Sequence, residues 1–194
     1  MLQRPESKYI LNKLENDLPS HLKYHTIEHT MDVYQITLDI AKKENVSNHE
    51  LNMLLVAALY HDAGYLIQRK NHEDLSCKMI REVLPQFGYT NADTEKICEI
   101  IMATKLPQSP QSRLGEIICD ADLDYLGRND FFETGHRLYQ EMLSEGIVAN
   151  EEEWNQIQIK FLENHLFFTQ TSINLREATK QENLNKLRSK TGIQ

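Results

Sequence analysis

Residues 51 to 64 read LNMLLVAALYHDAG, and this stretch decides how the rest of the chain is interpreted. At the helical period, its leucines begin an apolar face that continues into His61 and Asp62. Burying an ionisable group in an apolar face costs free energy unless another group pairs with it. The stretch therefore predicts a buried helix that ends in two side chains in need of a partner, just before Gly64 breaks the helix.

Two other fragments show the same conflict between an apolar helix face and an ionisable side chain. Residues 24 to 29 read YHTIEH and lead into His29, and residues 120 to 124 read DADLD and place Asp122 on an apolar face. Two imidazoles and two carboxylates would thus converge from three helices. A metal ion is a partner that satisfies all four groups, so the sequence predicts a metal centre. Its ligands are His29, His61, Asp62 and Asp122.

The mixture of nitrogen and oxygen ligands limits the choice of ion. Neutral imidazoles with carboxylates suit one divalent cation such as Mn²⁺, Fe²⁺, Co²⁺, Ni²⁺ or Mg²⁺, and Zn²⁺ also fits. Four protein ligands leave about two positions of an octahedral shell for water and a substrate oxygen. This is the arrangement of a catalytic site rather than of a closed structural one.

Calcium binding by an EF-hand loop is a competing interpretation of residues 120 to 124. Such a loop needs Gly at its sixth position and Glu at its twelfth, where this chain has Tyr125 and Phe131. The helical phase also separates the middle aspartate of the run from its two neighbours. We therefore exclude the EF-hand and expect Asp120 and Asp124 to lie on a solvent-exposed face.

The rest of the chain also follows the helical period, and almost nothing alternates with a period of two. Ser47 and Glu50 form a capping box at the start of the helix that carries His61. That helix and the helix that carries Asp122 end at Gly64 and Gly127. The other predicted helices span about residues 6–18, 26–43, 72–84, 93–105, 130–144, 151–169 and 172–188.

These patterns predict an all-α fold, a single compact helical bundle that takes in residues 1–194. Residues 24–127 would form the core around the metal site, and helices within residues 128–190 would complete the bundle. Trp154 and Phe161 are expected in the hydrophobic core rather than in a ligand-binding surface. The C-terminal helices can complete this core or pack against a second copy of the chain in a homo-oligomer.

The composition is that of an ordinary globular protein, with 26% charged and 40% hydrophobic residues. The formal net charge is −8 without a block of Lys or Arg, which argues against nucleic acid or an anionic membrane as the main partner. The longest apolar run, residues 53–60, is too short to span a bilayer. Cys77, Cys98 and Cys119 form no CxxC pair and are expected as small buried residues, so we expect a cytoplasmic protein.

Three motifs in this order resemble the metal-dependent phosphohydrolases of the HD superfamily, which are named for a His-Asp pair. Residues 24–33 are similar to the opening motif of that family, and residues 60–65 (YHDAGY) are similar to its HD signature. Residues 120–123 are similar to its closing aspartate motif. Together the motifs span residues 24–127 on an all-helical background.

The resemblance implies that His29, His61, Asp62 and Asp122 bind the metal and that the protein hydrolyses phosphate esters or anhydrides. The substrate it implies is a small phosphorylated molecule, commonly a nucleotide. Members with two metals carry extra histidines between the His-Asp pair and the last aspartate, and here that interval holds only His72. One catalytic ion is therefore expected. The oxygenase branch of the superfamily, which relies on a richer ligand set, is disfavoured for the same reason.

Other residues near the motifs are candidates for proton transfer and for orienting water. In the cyclic-nucleotide phosphodiesterases of the superfamily, the histidine that matches His25 donates a proton to the leaving oxygen. A helix cap or a supporting hydrogen bond is the other interpretation of His25. Glu73 could orient the attacking water and His72 could contact phosphate, or both could serve only to begin a helix.

Cations near the motifs are the candidates for phosphate binding. Lys105 lies at a predicted helix end and Arg128 lies just past the helix that carries Asp122. Both could neutralise phosphate oxygens. Arg69 and Lys70 lie in the loop after the HD signature and could close over a substrate, although exposed cations also occur without such a role.

The favoured function is metal-assisted hydrolysis of a phosphate ester or anhydride, in which Asp62 also aligns the attacking water. Two alternatives stay open. One is a cyclic-nucleotide phosphodiesterase, which His25 suggests but for which the ligands of a second ion look insufficient. The other is a metal-stabilised binding or sensor module without turnover.

Overall fold

Polar capping residues set helix boundaries, as the sequence predicts for the helix that follows Ser47. The Ser47 hydroxyl accepts the N–H of Glu50 while the Glu50 carboxylate accepts the N–H of Ser47, and Thr90 forms the same reciprocal cap with Asp93. The structure is a computed structural model that describes residues 1–192. Its helices are α1 (Pro5–Asp17), α2 (Ile27–Lys43), α3 (Asn48–Tyr60), α4 (His72–Val83), α5 (Asn91–Met102), α6 (Arg113–Asp122), α7 (Phe131–Ser144), α8 (Glu151–Asn164) and α9 (Gln170–Thr191). Short 3₁₀ turns occupy Ala63–Leu66, Leu84–Phe87 and Asp124–Gly127.

Helix α3 lies at the centre of the core. All its residues from Met53 to Tyr60 are buried, because α1, α2, α5 and α6 pack around it. Burying one leucine side chain in this way stabilises the fold by about 1.5–3 kcal/mol. The regular elements of the described residues are all helical, which confirms the predicted all-α fold, and the three cysteines are buried and unpaired. None of the described helices is long and apolar enough to cross a membrane.

The packing of α2, α3 and α6 brings three sequence motifs together. Helix α2 contacts both α3 and α6. His29 lies in the first turn of α2, His61 and Asp62 directly follow α3, and Asp122 is the last residue of α6. Motifs that are distant in the sequence therefore meet where the ends of these helices converge.

Gly64 allows α4 to begin directly against the turn that follows α3. A Cβ atom at residue 64 would lie 2.0 Å from the carbonyl oxygen of His72, which no side chain tolerates. The Gly64 N–H donates to Ser76 Oγ at 2.8 Å, and that hydroxyl donates to the carbonyl of His61 at 2.8 Å. Glycine at this position therefore keeps His72, the first residue of α4, beside the His-Asp pair.

Asp120 and Asp124 are buried, so the prediction that they lie on a solvent-exposed face is wrong. Asp120 accepts the N–H of Phe168 at 2.8 Å and both the N–H and the hydroxyl of Thr169, at 2.8 and 2.7 Å. These groups immediately precede α9, so the Asp120 carboxylate satisfies donors at the N-terminus of that helix. Asp124 binds α9 as well, with Oδ1 2.7 Å from Arg176 Nε.

The close approach of α9 depends on Gly127. A Cβ atom there would lie 2.5 Å from both the Cβ atom and the carbonyl oxygen of Arg176. Asn183 adds hydrogen bonds from its side-chain amide to the carbonyls of Leu126 and Arg128, at 3.0 and 2.9 Å. Helix α9 thus covers the face that the helical phase alone assigns to solvent, which is the physical reason for the error.

Helix α8 ends at Asn164 rather than at Thr169 as predicted. The chain between these residues leaves the helical path because the N–H groups of Phe168 and Thr169 bind Asp120 instead of helix carbonyls. The pattern of apolar residues continues past Asn164, and it does not indicate this long-range partner.

Glu141 of α7 holds the loop that leads into α2. Its side chain is fully buried, and Oε2 accepts the N–H groups of Lys23, Tyr24 and His25 at 3.0, 3.0 and 3.1 Å. Oε1 is hydrogen-bonded to His25 Nδ1 and accepts a bond from Arg69 at 3.1 Å. Burial raises the pKa of Glu141, but His25 and the backbone N–H groups outweigh burial and lower this pKa to about 2.

Replacing Glu141 by Gln should destabilise the protein more at neutral pH than at acid pH. A carboxylate whose pKa falls from 4.5 to about 2 on folding contributes stability above pH 4.5 and loses it as the pH falls towards 2. The expected contribution at neutral pH is on the order of 1–3 kcal/mol. Urea unfolding of wild type and Glu141→Gln from neutral pH down to about pH 3.5 measures the difference.

Glu133→Gln is the matched control for this comparison, because Glu133 lies on the exposed face of the same helix. It should change the free energy of unfolding by less than about 0.5 kcal/mol at any pH. An equal loss of stability in Glu141→Gln at both ends of the pH range would show that the charge of Glu141 does not stabilise the loop.

Candidate functional site

The four residues predicted as metal ligands lie together at the converging ends of α2, α3 and α6. One ligand atom each from His29, His61 and Asp122 lie within 4.8 Å of one another. His29 Nε2 is 3.3 Å from Asp122 Oδ1 and 3.4 Å from Asp62 Oδ2. His61 Nε2 is 3.5 and 3.2 Å from the same two oxygens. We call these four side chains the His-Asp cluster.

Three atoms of the His-Asp cluster are buried and lack a hydrogen-bond partner within residues 1–192. They are His29 Nε2, His61 Nε2 and Asp62 Oδ2. A buried polar atom without a partner costs about 1–3 kcal/mol, and more when the group is charged. A cation among the three would satisfy all of them at once. The residues present therefore fit a divalent metal ion.

Contacts behind the cluster orient its histidines. His61 Nδ1 lies 2.8 Å from the carbonyl oxygen of Ala58, which can only accept, so this nitrogen carries the proton. The lone pair of His61 Nε2 then faces the cluster, which is the tautomer that a metal requires. The ring of Tyr24 packs against the ring of His29, with centroids 4.5 Å apart, and fixes the second imidazole.

The charges of the cluster shift the pKa of each member. Burial lowers the pKa of His29 and of His61, but the neighbouring carboxylates outweigh burial and raise both pKa values above 6.5. Burial raises the pKa of Asp62 and of Asp122, yet the histidines outweigh it, and the pKa of Asp122 falls to about 2. Without a cation, the two carboxylates therefore favour the charged form of both imidazoles.

A cavity of about 590 Å³ opens onto the cluster. Asp62 and Asp122 form part of its wall, and the loop after the His-Asp pair contributes Arg69 and Lys70. Its volume falls in the range of about 300–1,000 Å³ that is usual for small-molecule sites. The cavity gives the cluster access to a ligand.

His72 and Glu73 line this cavity at the start of α4, as the sequence predicts for residues that face the site. His72 Nδ1 lies 3.1 Å from the carbonyl oxygen of Arg69, and Nε2 lies 3.2 Å from Asp62 Oδ1, the second oxygen of that carboxylate. Burial lowers the pKa of His72, but Asp62 outweighs burial and raises it. Glu73 is buried, with Oε1 3.6 Å from His72 Nε2.

His25 also lines the cavity, beside the cluster. Its Nδ1 is held by Glu141, and its Nε2 lies 3.1 Å from the hydroxyl of Tyr65. The two rings stack with centroids 4.1 Å apart. The rings of His25 and His29 are 5.9 Å apart, so both side chains reach one region, as their spacing in the sequence predicts.

The two cations singled out in the sequence occupy different places. Lys105 lines the cavity, where its Nζ pairs with Asp74 at 2.8 Å while the side chain stays 43% exposed. Arg128 is not among the described residues that line the cavity. It binds Asp32 at 2.7 Å and Asp130 at 3.0 Å instead. These two acids hold the guanidinium away from the cavity, so the structure does not support substrate binding by Arg128.

Glu141 is a site residue that the three motifs do not indicate. Phe131, Leu138 and Glu141 share one face of α7 at helical spacing. An ionisable group on an apolar face is the feature that singles out His61, and the same feature also singles out Glu141. Trp154 is buried as predicted, but it lines the cavity as well, and Phe161 is only partly buried beside it.

Comparison of the sequence with protein-family models gives a match to the HD domain over residues 26–124, more than half of the 194-residue chain. The matched segment contains all four residues of the His-Asp cluster. No curated protein matches the sequence.

Solved structures share the fold across nearly the whole chain, each at 20% sequence identity. A predicted HD superfamily hydrolase from an uncultured Thermotogales bacterium aligns with a TM-score of 0.65, covering 99% of this chain and 95% of that one. YpgQ from Bacillus subtilis, in complex with ADP, aligns with a TM-score of 0.67, covering 96% and 94%. A structural-genomics target from Lactobacillus plantarum aligns with a TM-score of 0.69 over 100% of both chains.

At this level of identity the solved structures establish the fold alone. The family model covers residues 26–124, a segment that contains all four residues of the His-Asp cluster. The chain therefore belongs to the HD domain family.

Proposed function

We propose that this protein is a metal-dependent hydrolase of phosphate esters or anhydrides and that its substrate is a small phosphorylated molecule, a nucleotide. One observation carries the proposal. Three buried atoms, His29 Nε2, His61 Nε2 and Asp62 Oδ2, have no partner within residues 1–192 and lie beside a cavity of about 590 Å³. Buried polar atoms are otherwise almost always paired.

The His-Asp cluster would hold one divalent cation, drawn from Mn²⁺, Fe²⁺, Co²⁺, Ni²⁺, Mg²⁺ and Zn²⁺. When bound, such an ion supplies Lewis acidity, which stabilises charge on a phosphoryl oxygen and lowers the pKa of water from nearly 16 to about 7. The chain contributes the orientation of the ligands. The Ala58 carbonyl keeps the proton of His61 on Nδ1, and Asp62 presents one oxygen to the cluster and the other to His72.

Cations on the cavity wall would bind the phosphate groups. Lys105 can leave its pair with Asp74, because an ion pair at an exposed position is weak in water. Arg69 is held at the wall by Glu141 and Glu145, at 3.1 and 2.9 Å. Its planar guanidinium matches the geometry of phosphate oxygens.

Two residues at the start of α4 would act on the reacting groups. His72 Nδ1 donates to a backbone carbonyl, so Nε2 would donate a hydrogen bond to a phosphoryl oxygen only in the imidazolium form, which the neighbouring Asp62 favours. Glu73, 3.6 Å from His72 and on the same wall, would accept a hydrogen bond from the attacking water and orient it.

His25 would transfer a proton to the leaving oxygen. The buried carboxylate of Glu141 is hydrogen-bonded to Nδ1 and fixes the plane of the ring. The proton on Nε2 then lies on the side of Tyr65, and both residues line the cavity.

Two observations support a nucleotide as the substrate. YpgQ, which shares the fold, was solved in complex with ADP. Arg69, Lys70 and Lys105 line the cavity, and three cations suit the several charges of a nucleoside di- or triphosphate. Neither support selects a particular base.

A panel of substrates tests the proposal. Chelator-treated protein is resupplied with Mn²⁺, Co²⁺ or Mg²⁺ and assayed on phosphomonoesters, nucleoside di- and triphosphates and cyclic nucleotides. We expect hydrolysis of nucleoside di- or triphosphates with at least one metal. A blank panel with nucleotides still bound would instead support a module without turnover. Two tightly held ions per chain by elemental analysis would support a cyclic-nucleotide phosphodiesterase.

Replacing Asp62 by Ala should remove both metal affinity and turnover. The variant loses an oxygen that faces both cluster histidines, at 3.4 and 3.2 Å. We expect activity to fall by about 100-fold or more, and the rise in Tm on adding metal to vanish. Asp39→Ala, on the exposed side of α2, is the control and should behave as wild type. Full activity of metal-stripped Asp62→Ala protein would refute the mechanism.

Metal binding should release protons at neutral pH. Because the neighbouring carboxylates raise the pKa of His29 and of His61 above 6.5 in the metal-free protein, a metal competes with protons for both imidazoles. Affinity should therefore fall as the pH is lowered. The charged histidines stabilise the metal-free fold below pH 6.5, and that contribution is lost as the pH rises through their raised pKa values.

Calorimetry in buffers of different ionisation enthalpy counts the released protons. His61→Gln should reduce the count, whereas His49→Gln, at an exposed position, should leave it unchanged. A binding enthalpy that does not depend on the buffer would contradict the prediction.

A further inference from the structure

The wall of the cavity has two parts of different chemistry. One part contains Asp62 and Asp122 of the His-Asp cluster and the cations Arg69, Lys70 and Lys105. The other part, which we call the apolar end, is formed by α7 and α8. Its principal residues are Leu138, Met142, Trp154, Ile157, Gln158 and Phe161. Helices outside the three sequence motifs thus supply about a third of the residues that line the cavity.

The apolar end selects against charge. None of the described residues that α7 and α8 contribute to the cavity wall is charged. A phosphate placed there would lose its hydration without gaining a partner. The phosphate groups must therefore lie at the cluster, and the apolar end must hold an uncharged part of the same molecule.

Aromatic rings favour a flat group at the apolar end. The side chains of Trp154 and Phe161 line it, and Tyr125 from the turn after α6 lies on the same cavity. Aromatic rings bind planar heterocycles by stacking without a preference for one heterocycle over another. Selectivity between heterocycles requires hydrogen-bonding groups in addition.

Gln158 supplies such a group. Apart from Trp154, it is the residue with a polar side chain that α7 and α8 contribute to the wall within residues 1–192, and its amide lies between these two helices. Its Oε1 lies 2.8 Å from where a Cβ atom of residue 135 would be, so Gly135 makes room for the amide. Its Nε2 donates to Asn155 Oδ1 at 3.4 Å, a long contact that leaves the amide able to bind elsewhere.

We propose that the apolar end binds the base of a nucleotide and that Gln158 is a specificity-determining residue for that base. The proposal rests on the proposed function, because phosphate at the cluster sets the direction in which the nucleotide lies. An amide both donates and accepts hydrogen bonds, so it can match the edge of one base better than another. The aromatic residues supply the contact that all bases share.

Trp154 gives a direct readout, because it is the one tryptophan of the chain. Intrinsic fluorescence of the full chain with Mg²⁺ is recorded as ADP or inorganic tripolyphosphate is added. We expect ADP to change the Trp154 signal, because the base would lie against the indole. Tripolyphosphate should displace ADP and restore the original signal, since it carries phosphates but no base.

Base selectivity is measured by the same signal, recorded by stopped-flow mixing before nucleotide is consumed. The dissociation constants of ADP, GDP, CDP and UDP are compared for wild type, Gln158→Leu and Gln156→Leu. Loss of a hydrogen bond to one base should change at least one ratio of these constants by about three- to tenfold in Gln158→Leu. Gln156→Leu, a substitution at an exposed position of the same helix, should leave all ratios unchanged. A merely structural effect would weaken all four nucleotides alike.

The outcomes separate this proposal from the proposed function. An equal response to ADP and tripolyphosphate, or unchanged base ratios in Gln158→Leu, would overturn it. So would tighter binding of dodecyl phosphate than of any nucleotide, which would assign the apolar end to an alkyl chain. If no phosphate compound is hydrolysed but ADP still changes the Trp154 signal, the proposed function fails and base binding stands. If a phosphate compound is hydrolysed but ADP does not change the Trp154 signal, the proposed function stands and base binding at the apolar end fails.

Discussion

Four ionisable side chains meet where three helix ends converge, His61 and Asp62 buried and His29 and Asp122 partly buried, and the rest of the structure depends on how this constraint is met. Apolar packing around α3 buries His61 and Asp62, while α2 and α6 bring His29 and Asp122 to the same place. The Ala58 carbonyl accepts a hydrogen bond from His61 Nδ1, but His29 Nε2, His61 Nε2 and Asp62 Oδ2 have no partner within residues 1–192. The packing that stabilises the bundle thus also leaves buried atoms that a cation would satisfy, and their lack of a partner lowers the free energy of unfolding.

Local rules account for most of the helical framework. The capping box at Ser47 and the glycines that follow the motif helices depend on residues a few positions apart. These helix boundaries can therefore be predicted from the local sequence. The burial of Asp120 and Asp124 follows a different logic. Helical phase tells which residues share a face, but it does not tell which element covers that face. Helix α9, which covers it here, is held by hydrogen bonds from Thr169 and an ion pair from Arg176.

The residues of the candidate site also fall into two groups, those that the local sequence predicts and those that depend on long-range packing. The residues of the His-Asp cluster can be predicted because each lies on an apolar helix face. This property depends only on residues within the same segment of sequence. Glu141 and the apolar end come from α7 and α8, whose position over the cluster depends on long-range packing. Arg128 shows that closeness to a motif in the sequence does not fix the direction of a long side chain. Two acids, Asp32 and Asp130, decide where its guanidinium lies.

The attachment of α9 also sets the smallest unit that can work. The HD domain match ends at residue 124, yet the carboxylates on either side of Asp122 bind groups beyond residue 167. Asp120 accepts the N–H groups of Phe168 and Thr169, and Asp124 pairs with the guanidinium of Arg176. A shortened chain that stops after Gly127 would leave both carboxylates without these partners next to the cluster. The shortest chain that keeps the surroundings of Asp122 intact therefore extends at least to Arg176, more than fifty residues past the last motif.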